Sequence, residues 1–205
     1  MAAMPSGLLA ERVRRDIEVV AHGGLDLDTF LNEALLSLRR AVPFEAVCFG
    51  TVDPTTRLLT STRKYGSLRG QDDRDHDWGL IEYGGRETTT FTEMADSGLR
   101  AAGVHQTTSG RLEESTRLRE LIQPEYGYGD ELRALCYDRG HLWGEAAYFR
   151  SSDDRPFSAD EVTFLASLTT VMGVGVRAGL LASLASMAPL DSPQGPAVMI
   201  IGADD

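Results

Sequence analysis

Lysine is nearly absent from this chain: of 205 residues only Lys64 is one, and arginine supplies the rest of the 20 basic side chains. We read that bias as genomic base composition rather than function. Cysteine is scarce too. Two cysteines, Cys48 and Cys136, cannot build a disulfide scaffold, and they form no C-x-x-C pair. Positive charge is in deficit, with 31 acidic side chains and a net charge of −11. The deficit is uneven: residues 1–69 hold nine basic and eight acidic groups, and the remainder holds 11 basic against 23 acidic. A surface this acidic repels phosphate backbones, which excludes stand-alone DNA or RNA binding. The start of the chain is a charged amphipathic stretch without the apolar run of a secretory leader, so a cytoplasmic location is expected. No G-x-x-x-x-G-K-[ST] loop and no nucleophile elbow occur. Gly127-x-Gly129 leads into a strand pattern rather than a helix, so it cannot cradle a phosphate.

What is present is a real core. Hydrophobic residues make up 42% of the chain, too many for a disordered segment. Leu9, Val13, Ile17 and Val20 have helical spacing, with Ser6 as an N-cap candidate. Leu27, Phe30, Leu31, Ala34, Leu35 and Leu38 form a second apolar stripe, which Asp26 or Asp28 can cap and Pro43 ends. The period then changes. Segments 44–52 and 58–64 read as paired strands, and 131–137 and 142–150 read as a second hairpin around Asp138-Arg-Gly-His141. Leu132, Ala134 and Cys136 alternate with Arg133, Leu135 and Tyr137, which marks two sheet faces. Ser158-x-x-Glu161 is a capping box opening a last helix.

From Val162 to Leu190 that last segment carries a single charge, Arg177. Arg177 splits it, and Ser, Thr and Gly interrupt it, so it does not read as a bilayer span. A helix apolar nearly all round must be buried on more than one side. A second copy of the chain is the expected cover, making Leu165, Leu168, Met172, Gly175, Val176, Gly179 and Leu180 a candidate dimer interface. The middle, Tyr65 to Tyr128, is glycine-punctuated and irregular. It suggests a strand over Thr88–Met94 and short helices near Gly98–Ala102 and Leu112–Ile122, the latter ended by Pro124. The tail has a linker at 188–196 and a buried-type strand opening a further domain at 197–205.

The order of elements implies an α+β fold. The expectation is a mostly antiparallel central sheet, terminal helices packed on one face, and the variable middle as a lid on the other. A pocket then lies between sheet and lid.

Three stretches resemble a known family: Leu142-Trp-Gly-Glu-Ala-Ala-Tyr-Phe149, then Arg155-Pro-Phe-Ser158, then Asp160-Glu161-Val-x-Phe-Leu165. They are similar to the C-terminal half of GAF domains. Tyr126-Gly-Tyr-Gly-Asp-Glu-Leu-Arg133 resembles the GAF regions of actinobacterial LuxR-type transcription regulators. The resemblance covers roughly residues 8–187 and makes 1–187 a GAF-like sensory domain, with 197–205 similar to the first strand of a PAS-like domain. It implies a ligand site between the sheet and the middle, with Tyr83, Phe91, Met94, Leu121, Tyr126, Tyr128, Leu132, Ala134 and Cys136 as candidates. The N-K-x-D-E motif of cyclic-nucleotide-binding GAF domains is missing.

The expected function is therefore a non-enzymatic sensor in a homodimeric transcription regulator. It takes a small apolar or aromatic ligand, needs no cofactor or metal, meets no membrane, and reaches DNA only through a downstream domain. One alternative is a ligand-free GAF dimerisation module. Another is a haem or thiol redox sensor, for which His105 is the one plausible axial ligand and Cys48 and Cys136 are the thiols. His22 and His141 sit in turns, and His76 lies in the charged run Asp72–Asp77, read as an exposed loop.

Overall fold

The computed structural model describes residues 7–186 apart from 86 and 88. The Ser6 cap, the linker and the tail strand lie outside the described residues. Helix α1 (Gly7–Ala21) buries Val13, Ile17 and Ala21. Helix α2 (Leu27–Leu38) buries all six residues of its expected stripe, and the Asp26 carboxylate accepts from the Thr29 amide to cap it. A single sheet follows from strands β1 (Ala46–Val52), β2 (Leu59–Gly66), β3 (Ala101–Gly103), β4 (Tyr128–Asp138) and β5 (His141–Ser151). Its spatial order is β2-β1-β5-β4-β3, and every neighbouring pair is antiparallel. The β4–β5 hairpin turns on Arg139 and Gly140, both at positive φ, which suits the right-handed twist of the flanking strands.

Helix α7 (Ala159–Ser186) starts at the expected capping box: Ser158 Oγ accepts from the Glu161 amide at 3.3 Å, and Glu161 Oε2 accepts from the Ser158 amide at 2.8 Å. The same carboxylate takes a bidentate grip from the buried Arg150 (2.7 and 3.2 Å) and further bonds from Arg155. Burial alone raises the Glu161 carboxyl. The bonds from Arg150, the Ser158 amide and Arg155 outweigh burial and hold it down near 2. By length and composition α7 is apolar enough to cross a membrane. In the fold it lies across β4, α1 and α2.

That packing corrects the expected dimer interface. Leu165, Leu168, Met172, Gly175, Val176 and Gly179 are buried inside the chain, and Leu180 is half-buried against the same core. The small residues serve intrachain contact. A Cβ on Gly173 would sit 2.2 Å from the Tyr137 carbonyl oxygen, one on Gly175 2.1 Å from the Phe30 ring, and one on Gly179 2.7 Å from the Leu27 Cα.

The opposite face carries the middle segment, and here several expectations change. Asp75–Tyr83 is helix α3 rather than a charged loop, so His76 is helical. The strand expected to run to Met94 gives way to helix α4 (Phe91–Ser97). Thr90 caps it and Glu93 completes a capping box, which overrides the β-branched run before it. The helix expected at Gly98–Ala102 is strand β3, paired to β4. Val104–Thr107 forms the one-turn helix α5. Leu112–Glu114 is a 3₁₀ turn and Leu118–Ile122 a π-helical turn. Pro124 does not end the helix: it occupies the first turn of α6 (Gln123–Tyr126), where its missing N–H does no harm, and Gly127 in the left-handed conformation terminates it.

Candidate functional site

The two faces of the sheet hold separate cores. On the helix side Val47, Phe49, Leu132, Ala134, Cys136, Ala146 and Tyr148 pack against α1, α2 and α7. On the other side Ala46, Leu135, Ala147 and Phe149 pack against the middle segment. Between that second face and helices α3 and α4 lies a cavity of about 320 Å³. Its floor comes from Cys48 and Gly50 on β1, Thr60, Ser61, Thr62 and Lys64 on β2, Arg133 on β4, and Glu145 and Ala147 on β5. Leu59, Asp75, Trp78, Gly79, Glu82, Tyr83 and Phe91 complete it.

Aromatic stacking anchors α3. Trp78 meets the edge of Phe149 (ring centroids 5.6 Å apart) and donates its indole N–H to the Tyr126 hydroxyl at 3.3 Å. Tyr126 stacks on Tyr128 and Tyr128 on Phe149. The Tyr128 hydroxyl also bonds Ser67 Oγ at 2.8 Å.

Buried charges sit beside the cavity and are mostly matched. Arg133 donates to Glu82 Oε2 (2.6 Å) and to the Thr89 carbonyl (2.6 Å), with its guanidinium 3.5 Å over the Phe91 ring. Glu82 Oε1 accepts from the Phe91 amide at 2.6 Å, tying α3 to α4. Burial would raise the Glu82 carboxyl, but Arg133, with Arg117 behind it, outweighs burial and lowers it. Deeper in, Glu131 lies 3.4 Å from Arg133 Nε and accepts from Arg117 Nε at 2.7 Å. Glu87 accepts from the Arg117 amide at 2.7 Å. Lys64 pairs with Asp75 and Asp72 and donates to the Gln71 carbonyl. Burial would lower its ammonium, yet the two aspartates raise it. Glu145 differs. Burial pushes its carboxyl up to about 7, and Arg133 compensates only in part.

Of the nine expected ligand residues, Tyr83 and Phe91 line the cavity. Met94, Tyr126 and Tyr128 belong to the core beneath the middle segment, and Leu121 is likewise buried away from the cavity wall. Leu132, Ala134 and Cys136 are corrected outright: strand alternation turns them to the helix side, with the sheet between them and the cavity. The expectation missed Trp78, Lys64, Glu82, Arg133 and Glu145. Glu145 had a signal, as the one charge inside the apolar strand Leu142–Phe149.

The two thiols do not meet. Cys48 faces the cavity and Cys136 the helices, on strands separated by β5. Burial raises each to about 12, so both are protonated at neutral pH. His105 is in α5, with its ring against Gly110, outside the cavity lining.

No protein-family model matches this chain, and no curated protein does. Solved structures match its fold. A free methionine-R-sulfoxide reductase from Neisseria meningitidis, in complex with its substrate, is 18% identical over 89% of this chain and 96% of its own, with a TM-score of 0.56. A GAF domain from A. aeolicus in an inactive state is 13% identical over 83% of this chain and 96% of its own (TM-score 0.54). An N-acylhomoserine-lactone-dependent LuxR-family transcription factor from Burkholderia cenocepacia is 14% identical over 88% of this chain and 100% of its own (TM-score 0.54). The likeness defines an α+β domain built on one open antiparallel sheet. That architecture is the GAF-domain fold.

Proposed function

We propose that the chain is the small-molecule-sensing region of a cytoplasmic transcription regulator, and that it is not an enzyme. The observation that carries the reading is the cavity between the sheet and α3–α4, lined on its helical side by Trp78, Tyr83 and Phe91. Thiol catalysis of the reductase kind finds no support in two protonated cysteines on opposite sheet faces. A ligand under α3 and α4 shifts the population of their positions. Strand β4 carries the change through the sheet, because its other face touches α7 at Gly173.

The homodimer of this reading forms on the outer face of α7, since the inner face is filled. Phe164, Val171, Val174, Ala178 and Leu181 follow one another there at intervals of seven, three, four and three residues; Leu181 is exposed and the other four are half-buried. DNA is contacted through a separate domain. Native mass spectrometry of the purified chain tests both parts. The expected result is a dimer carrying one small molecule per chain, with the molecule lost in Ala147→Phe and the dimer lost in Val174→Glu. A monomer at high concentration contradicts the relay, and an unliganded chain that Ala147→Phe leaves unchanged contradicts the sensor.

A further inference from the structure

The carboxylate of Glu145 has no partner in a site where every other charge has one. Glu145 is 8% exposed and lines the cavity. Among the described residues it makes no hydrogen bond and no ion pair. Gly50, directly across on β1, makes room for it: a Cβ there would lie 3.0 Å from Glu145 Cγ and 3.4 Å from Oε1. The basic groups of the cavity are committed elsewhere, Lys64 to Asp72 and Asp75, and Arg133 to Glu82. The lining therefore holds two cations against three carboxylates. An unpaired buried carboxylate is unfavourable, so it takes up either a proton or a cation.

We propose that the cavity binds a small ammonium ligand with a flat apolar body, the ammonium paired with Glu145 and the body against Trp78 and Phe91. This rests on the reading of the cavity as a ligand site and names the class of ligand. The volume suits on the order of ten non-hydrogen atoms at about 30 Å³ for each water-sized group. An anionic ligand meets Glu145, Glu82 and Asp75, and the one unmatched charge repels it. The position of Glu145 near 7 supports the assignment, because the carboxylate is held just where a cation can displace its proton.

Calorimetric titration of the full chain with 2-phenylethylamine, 2-phenylethanol and phenylacetate tests this. At about pH 8 the amine should bind on the order of thirtyfold more tightly than the alcohol, and phenylacetate more weakly than either. Glu145→Gln should remove the amine's advantage over the alcohol. In the unsubstituted chain the amine's affinity should fall about tenfold for each pH unit below 7, as Glu145 takes up a proton. Asp75 and Tyr83 on α3 also face the cavity; of the groups around Glu145, Lys64 on β2, Tyr83 on α3 and Arg133 on β4 are raised, Glu82 on α3 is lowered and Cys48 on β1 lies near 12, which moves each of these five away from that window. Alcohol binding as tight as amine binding, or amine binding that tightens as pH falls, overturns the ammonium assignment while the cavity remains a ligand site. Failure of all three probes to bind at millimolar concentration overturns both.

Discussion

The same two strands make both faces of this domain, and the faces differ in kind. On the helix side β4 and β5 present Leu132, Ala134, Cys136, Ala146 and Tyr148, which pack in one core with α1, α2 and α7. On the cavity side, one residue along, they present Glu131, Arg133 and Glu145 beside the apolar Leu135, Ala147 and Phe149. One face is stabilised by apolar contact. The other holds charges out of water, where each must find a partner. A domain that needed only to fold has no use for the second arrangement, and the unmatched carboxylate marks where folding alone does not explain the residue.

The contrast is broken most strongly from the helix side. Phe30 fills the notch at Gly175, so Phe30→Ala should destabilise the fold by about 3–5 kcal/mol in urea unfolding. It should leave the amine-over-alcohol preference of the cavity untouched. A change in that preference would mean the faces are not separable.

On the cavity side the sign reverses. The Glu145 carboxyl titrates near 7 in the folded chain against 4.5 ordinarily. The folded form then binds more protons than the unfolded form between those values, so stability falls as pH rises through that window and is level above it. Glu145→Gln should therefore stabilise the chain by on the order of 1–3 kcal/mol at about pH 8, shrinking towards zero near pH 4.5. Equal stability of the two proteins at both pH values would remove the claim of an unpaired charge.

Glu161 gives the opposite case within the scaffold. Its folded pKa is near 2, below the ordinary 4.5, so its contribution is present above pH 4.5 and is lost as pH falls towards 2. Glu161→Gln should lower the thermal midpoint at neutral pH and flatten its dependence on acid. A steep acid loss retained in Glu161→Gln would place the effect elsewhere. The smallest effect concerns the thiols. Cys48 and Cys136 should both resist iodoacetamide at about pH 8 in the folded chain, where burial keeps them neutral, and react fast once unfolding exposes them and frees the thiolate to form. Rapid labelling of either in the folded chain would reopen redox chemistry.

Much of the scaffold was legible because periodicity and capping agree there. The stripe of α2, the β4–β5 hairpin and the Ser158–Glu161 box each carry a strong local signal, and burial follows it. Helix α3 was not legible: its sequence is charged and only Ile81 is buried in it, so no stripe announces it. At Phe91–Ser97 β-branched neighbours pointed one way and the Thr90–Glu93 cap another, and the cap prevailed. The site failed for a different reason. Alternation along β4 separated Leu132, Ala134 and Cys136 from Arg133, but alternation does not say which set faces the helices. Only the sheet order decides that. The dimer interface expected on α7 falls inside the chain for a related reason: an all-apolar helix in sequence does not show that α2 already fills the side bearing Gly175 and Gly179.

The unpaired charge of Glu145 is read most directly from its own titration. Side-chain carboxyl chemical shifts of ¹³C-labelled protein, with Glu145→Gln to assign the signal, report its titration by nuclear magnetic resonance. The expected midpoint is about 7 in the free chain, moving down when 2-phenylethylamine is added. A midpoint in the ordinary carboxylate range, unmoved by the amine, would contradict it.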